Sequence, residues 1–94
     1  MTEEIIQKLN NLWEKATTEF YEDDGCTYIL QNDVAEEIED ICWKYLIKAG
    51  ELAWNWKNVK KLEEYGYKCF AGERDSFGML TACVEKDKKI FCFG

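Results

Sequence analysis

At Tyr67 the hydrophobic pattern of this chain changes period, and that switch limits its fold more than any other feature. Before Tyr67, apolar residues recur three and four apart, the spacing of a helix face. After it they recur every second residue, the spacing of a strand. Helices followed by strands put the chain in the α+β class, with the helices gathered on one face of an antiparallel sheet. No proline interrupts either part.

The first helix is predicted to start behind a Thr2 cap, with Glu3 and Glu4 in the first turn, where the helix dipole favours negative charge. Ile5, Leu9, Leu12, Ala16 and Phe20 then form an apolar stripe that Ile6 and Trp13 widen. The stripe carries the helix to Tyr21, before the turn signal Glu22-Asp23-Asp24-Gly25. Residues 26–30 are rich in strand formers and read as a strand or an extended connection. Asp33 and Glu36 have the spacing of a capping box, opening a second helix whose apolar face runs from Val34 through Ile38, Ile41, Cys42, Tyr45 and Leu46 to Ala49. Gly50 then stands where a left-handed terminator belongs. A shorter third helix runs from an Asn58 cap through Val59, Leu62 and Tyr65 to Gly66.

Residues 67–71, 78–85 and 89–93 read as strands, with 72–77 as a loop. A two-residue turn at Asp87-Lys88 sets Val84 opposite Phe91, Cys83 opposite Cys92 and Ala82 opposite Phe93. Val84, Phe91, Ala82, Phe93 and Leu80 then share one apolar face, and a one-residue slip would mix the faces. The expected architecture is two to three N-terminal helices packed on one face of a C-terminal three-stranded antiparallel β-meander. Residues 1–94 form a single domain in this reading, a length one core can serve. Aromatics, at 15%, are numerous enough to fill that core.

The chemistry available is narrow. Histidine is absent, which removes the commonest general base and the commonest metal ligand. Ser76 is the only serine and Arg74, in the 72–78 segment, the only arginine. Cys26, Cys42, Cys69, Cys83 and Cys92 never stand two to four residues apart, as structural zinc sites require, and read as free thiols packed among apolar neighbours. Opposed strand positions would let Cys83 and Cys92 cross-link if oxidised. The expectation is no catalytic residue, no metal and no cofactor. Without a hydrophobic leader or an apolar run near the ~18 residues of a membrane span, the chain is expected to be cytoplasmic, with no membrane association.

Charge is the functional signal. The net charge is −7, but residues 1–40 hold twelve acids against two lysines, and residues 41–94 hold seven acids against ten bases. Glu3, Glu4, Glu36 and Glu37 suit helix N-termini, whereas the acids at 19–24 would fall at the end of the first helix, where the dipole disfavours them. Direct nucleic-acid binding needs basic patches and is not expected. A basic partner is, because an acidic surface is steered onto a positively charged groove.

In composition, compactness and charge the chain resembles phage-encoded inhibitors that mimic DNA, including some anti-CRISPR proteins. The resemblance implies a non-enzymatic, acidic protein-binding inhibitor that occupies the basic, nucleic-acid-binding groove of a partner protein. Glu19, Glu22, Asp23, Asp24, Glu36, Glu37 and Asp40 are the expected recognition residues, with Trp54 or Trp56 as aromatic anchors. The alternative is a structural or self-association module, a homodimer pairing through an exposed C-terminal edge strand. A third reading, a cysteine-based enzyme, requires one thiol with a strongly depressed pKa.

Overall fold

The computed structural model describes residues 1–48, 53–74 and 80–93, with 73, 74 and 80 as backbone. The elements in chain order are α1 (Glu3–Lys15), β1 (Thr18–Tyr21), β2 (Cys26–Ile29), α2 (Asp33–Leu46), β3 (Ile47–Lys48), β4 (Ala53–Trp54), α3 (Trp56–Glu63), β5 (Lys68–Arg74), β6 (Leu80–Lys86) and β7 (Lys89–Phe93). Five strands form one mixed sheet in the order β1-β2-β7-β6-β5, and β3-β4 form a separate small ladder. The α+β class holds, but the three-stranded meander is replaced by this larger sheet.

The first difference lies at the end of α1. The helix stops at Lys15 because Ala16 turns extended (φ −60°, ψ 133°), and the next residues build a hairpin instead. Ala16 and Phe20 fit a helical stripe by spacing alone. Thr17, Thr18, Phe20 and Tyr21 are β-branched or aromatic, and a strand partner lies just beyond a short turn, so pairing prevails. The second difference is that β7 is interior. It pairs antiparallel with β6 along its length and parallel with β2 at Lys89 and Ile90, so the C-terminal strand is not an outer strand of the sheet. The outer strands of the sheet are β1 and β5.

The β6–β7 register is the expected one, with Val84 opposite Phe91 and Cys83 opposite Cys92. Asp87 and Lys88 both adopt positive φ (52° and 65°), the backbone of a tight hairpin turn whose twist matches its strands. In α2, Asn32 rather than Asp33 is the cap: its side-chain oxygen accepts from the Ala35 N–H at 3.0 Å. The helix ends at Leu46, short of the expected Ala49, because Ile47 turns extended (φ −113°, ψ 132°) and Ile47–Lys48 pair as β3; Ala49 and Gly50 lie outside the described residues. Asn55, not Asn58, caps α3, while the Asn58 amide donates to the Tyr45 carbonyl at 2.6 Å. Gly66 does end that segment, with φ +93°. β5 extends to Arg74 and β6 starts at Leu80, so part of the expected 72–77 loop is strand and the rest lies outside the described residues.

All three helices contribute to one core. Ile6, Leu9, Leu12 and Trp13 of α1 meet Ala35, Ile38, Ile41, Cys42 and Leu46 of α2, and Val59 and Leu62 of α3. Ile29, Val84, Phe91 and Phe93 form the sheet side of that cluster. Strand alternation then turns Tyr28, Cys83, Cys92, Ile90 and Phe70 to the opposite face, away from the helices. Polar contacts fasten α1 to the β6–β7 hairpin. The Trp13 indole donates to the Lys86 carbonyl at 3.0 Å, and the Lys89 ammonium donates to the Trp13 carbonyl at 2.9 Å. No helix among the described residues is long and apolar enough to cross a membrane.

Candidate protein-binding surface

The acids of residues 19–24 sit on the β1–β2 hairpin and not on a helix end, so no helix dipole opposes them. The hairpin builds its own turn. The Gly25 N–H donates to the Tyr21 carbonyl at 2.9 Å, with Gly25 at φ +69°, a conformation that favours glycine. Asp24 ties the turn to β2: one carboxylate oxygen accepts from the Cys26 N–H at 3.1 Å, the other from the Tyr28 hydroxyl at 2.8 Å. That second bond holds the Tyr28 phenol protonated well above its usual range. Asp24 is therefore a structural residue first, a role that its place in an acidic run does not reveal.

The other hairpin acids have fewer internal duties. Glu19 accepts from the Tyr21 hydroxyl at 3.3 Å, and the Glu19 charge raises the Tyr21 pKa. Glu22 and Asp23 are exposed at the turn, with no ion-pair partner among the described residues. Between these acids stand Phe20, 59% exposed, and Tyr21, 45% exposed. Tyr21 lies edge-on to Tyr28 with ring centres 5.4 Å apart. Sequence reasoning missed this pair of aromatics by assigning both to the first helix; the β-branched Thr17-Thr18 before them was the available signal.

Glu36, Glu37 and Asp40 occupy a different element, the exposed side of α2. Glu37 lines an open groove against α1 together with Glu3, Glu4, Lys8 and Lys15, where both charge signs mix. No hydrogen bond or ion pair among the described residues joins these three acids to the hairpin. The seven expected recognition residues thus fall into two groups: the hairpin acids stand among exposed Phe20 and Tyr21, and the α2 acids lie on the helix that also exposes Trp43, 40% accessible and three residues after Asp40. Of the expected anchors, Trp56 is 58% exposed, while Trp54 packs partly against the core.

Among the described residues no cluster of three or more Cys, Asp or Glu side chains is placed to hold a metal ion. Burial pushes the Cys69 thiol up to about 11 and the Cys42 thiol higher still, so neither is an activated nucleophile. No protein-family model, curated protein or solved structure matches the chain.

Proposed function

We propose that this chain is a non-enzymatic inhibitor that binds a basic partner protein through the β1–β2 hairpin, occupying a groove that otherwise holds nucleic acid. The observation that carries the reading is a sheet-edge hairpin that exposes Glu19, Glu22 and Asp23 together with two aromatics on opposite faces, Phe20 on one and Tyr21, with Glu19, on the other. Acids alone would serve solubility. Acids flanking solvent-exposed rings combine long-range attraction with the aromatic contacts that carry most binding energy at interfaces. Glu36, Glu37 and Asp40 extend the negative field without forming part of the same contact surface. A nucleic-acid-binding enzyme is the partner class that such a surface fits best, as in the DNA-mimicking phage inhibitors that the composition resembles.

Self-association is the weaker reading. The strand expected to mediate it, β7, is enclosed between β2 and β6. Of the two outer strands, β1 and β5, pairing at β1 would bring Glu19 and the hairpin acids of two copies together, a like-charge arrangement that discourages edge pairing.

The test is affinity capture from host extract with the wild-type chain and with a Glu22→Lys, Asp23→Lys variant that leaves Asp24 in place. The expected result is a basic nucleic-acid-binding protein that is retained at low salt, released as salt rises and displaced by duplex DNA. The variant is expected to lose it. A captured set that is the same for both chains, or that resists both salt and DNA, overturns the proposal.

A further inference from the structure

The strand register that buries Val84 and Phe91 also places Cys83 directly opposite Cys92 on the other face of the sheet. Counting outward from the turn, Lys86–Lys89 is the pair that closes the hairpin. Glu85–Ile90 and Cys83–Cys92 are then the closely spaced, non-hydrogen-bonded pairs. In such pairs the Cα atoms approach to ~4.5 Å, within the ~4.4–6.8 Å range that a disulfide spans. The two sulfurs are 2.8 Å apart as thiols. Their access to solvent differs. Cys83 is 3% exposed, and β5 crowds it so closely that a Cβ on Gly72 would stand 2.8 Å from its sulfur. Cys92, beside β2, is partly exposed.

We propose that Cys83 and Cys92 form a dithiol site that low-molecular-weight disulfides of the glutathione type oxidise reversibly, Cys92 being the attacking thiol and Cys83 the resolving one. In the first step the Cys92 thiolate attacks one sulfur of the small disulfide. A Cys92–S–S–R bond forms, the S–S bond of the reagent breaks, and one RS⁻ leaves and takes up the proton released by the pair. In the second step the Cys83 thiolate attacks the Cys92 sulfur, forms the Cys83–Cys92 bond and expels the second RS⁻, which takes up the proton from Cys83. Two protein thiols are oxidised by two electrons, and one small disulfide is reduced to two small thiols.

Solvent access, and not resting charge, assigns the first step to Cys92. A hydrogen bond from the Cys92 S–H stabilises a thiolate on Cys83, which lowers Cys83 to about 7 and raises Cys92. The two sulfurs titrate as a unit, giving up the first proton more readily than a lone thiol and the second less readily. The charge rests on Cys83, so attack by Cys92 requires that its proton pass to Cys83 across the 2.8 Å contact as the new bond forms. Cys42 offers no competition, being fully buried with its thiol strongly held in the protonated form. This site is independent of the hairpin reading, because none of the hairpin acids takes part.

The experiment equilibrates the reduced full chain in buffers of rising glutathione-disulfide fraction, quenches with acid, alkylates, and reads intact mass and linked peptides. The wild type is expected to lose two hydrogens and yield a Cys83–Cys92 linked peptide that dithiothreitol reverses. Cys83→Ser is expected to stop with one glutathione on Cys92, and Cys92→Ser to form no bridge and take no glutathione at Cys83. Far-ultraviolet circular dichroism checks that both variants fold, and the wild-type measurement needs no variant. Absence of the bridge in fully oxidising buffer overturns the proposal. So does a bridge from Cys92 to Cys26, or first modification at Cys83.

Discussion

Asn10 carries more than its modest burial suggests. Its side-chain oxygen accepts from the Tyr67 hydroxyl at 2.6 Å and from the Lys86 ammonium at 3.0 Å. Tyr67 is only 1% exposed, packs edge-on against Trp13 with ring centres 5.4 Å apart, and lies 4.7 Å beneath the Lys86 ammonium. Removing one end of a hydrogen bond does not cost the same as removing the other. Tyr67→Phe deletes the hydroxyl and leaves Asn10 still paired with Lys86, a loss of ~0.5–1.5 kcal/mol. Asn10→Ala strands a buried hydroxyl and is expected to cost ~1–3 kcal/mol. Urea unfolding of both variants checks the order, and a larger loss in Tyr67→Phe would show that Asn10 does not matter in this way.

The β6–β7 hairpin keeps its register through burial and in spite of its turn residues. Lys88 sits at φ 65°, where a side chain costs ~1–2 kcal/mol. Glycine there relieves that strain but loses ~0.5–1 kcal/mol in chain entropy. Lys88→Gly is therefore expected to stabilise the protein by up to about 1.5 kcal/mol, read as a higher urea midpoint with an unchanged slope. This hairpin was legible in the sequence because Val84, Phe91, Ala82 and Phe93 allow one pairing only. The β1–β2 hairpin was not, since Ala16 and Phe20 keep helical spacing across the helix end, and tertiary pairing decided the segment. Helix starts were legible to within a few residues: Asn32 and Asp33 are both good caps, and which one serves depends on backbone angles that the sequence leaves open. The acidic cluster was legible as charge; that Asp24 binds Cys26 and Tyr28, while Glu22 and Asp23 have no ion-pair partner among the described residues, required the turn geometry.

The molecule as a whole carries an alkaline weakness in its core. Burial pushes Cys69 from the ordinary thiol value of 9.0 to about 11, with Glu63 adding to the shift, and it raises Cys42 and Tyr67 further. Each group is neutral when protonated, so the folded state holds these protons more tightly than the unfolded chain does. The associated stability is complete below pH 9 and, for Cys69, is lost as pH rises to about 11. Thermal unfolding under reducing conditions is expected to show a falling midpoint over that interval, and Cys42→Ala is expected to make the fall shallower. A midpoint that stays level would contradict it. Beyond stability, the position of β7 has a consequence for how the protein comes into being. β1–β2 and β5–β6 share no sheet until residues 89–93 have been synthesised and inserted between them. Until then α1 and α2 lack Phe91 and Phe93, and part of the apolar cluster they complete stays uncovered. Assembly of the five-stranded sheet thus hinges on one strand, and a chain that lacks residues 89–93 is the form most in need of a chaperone.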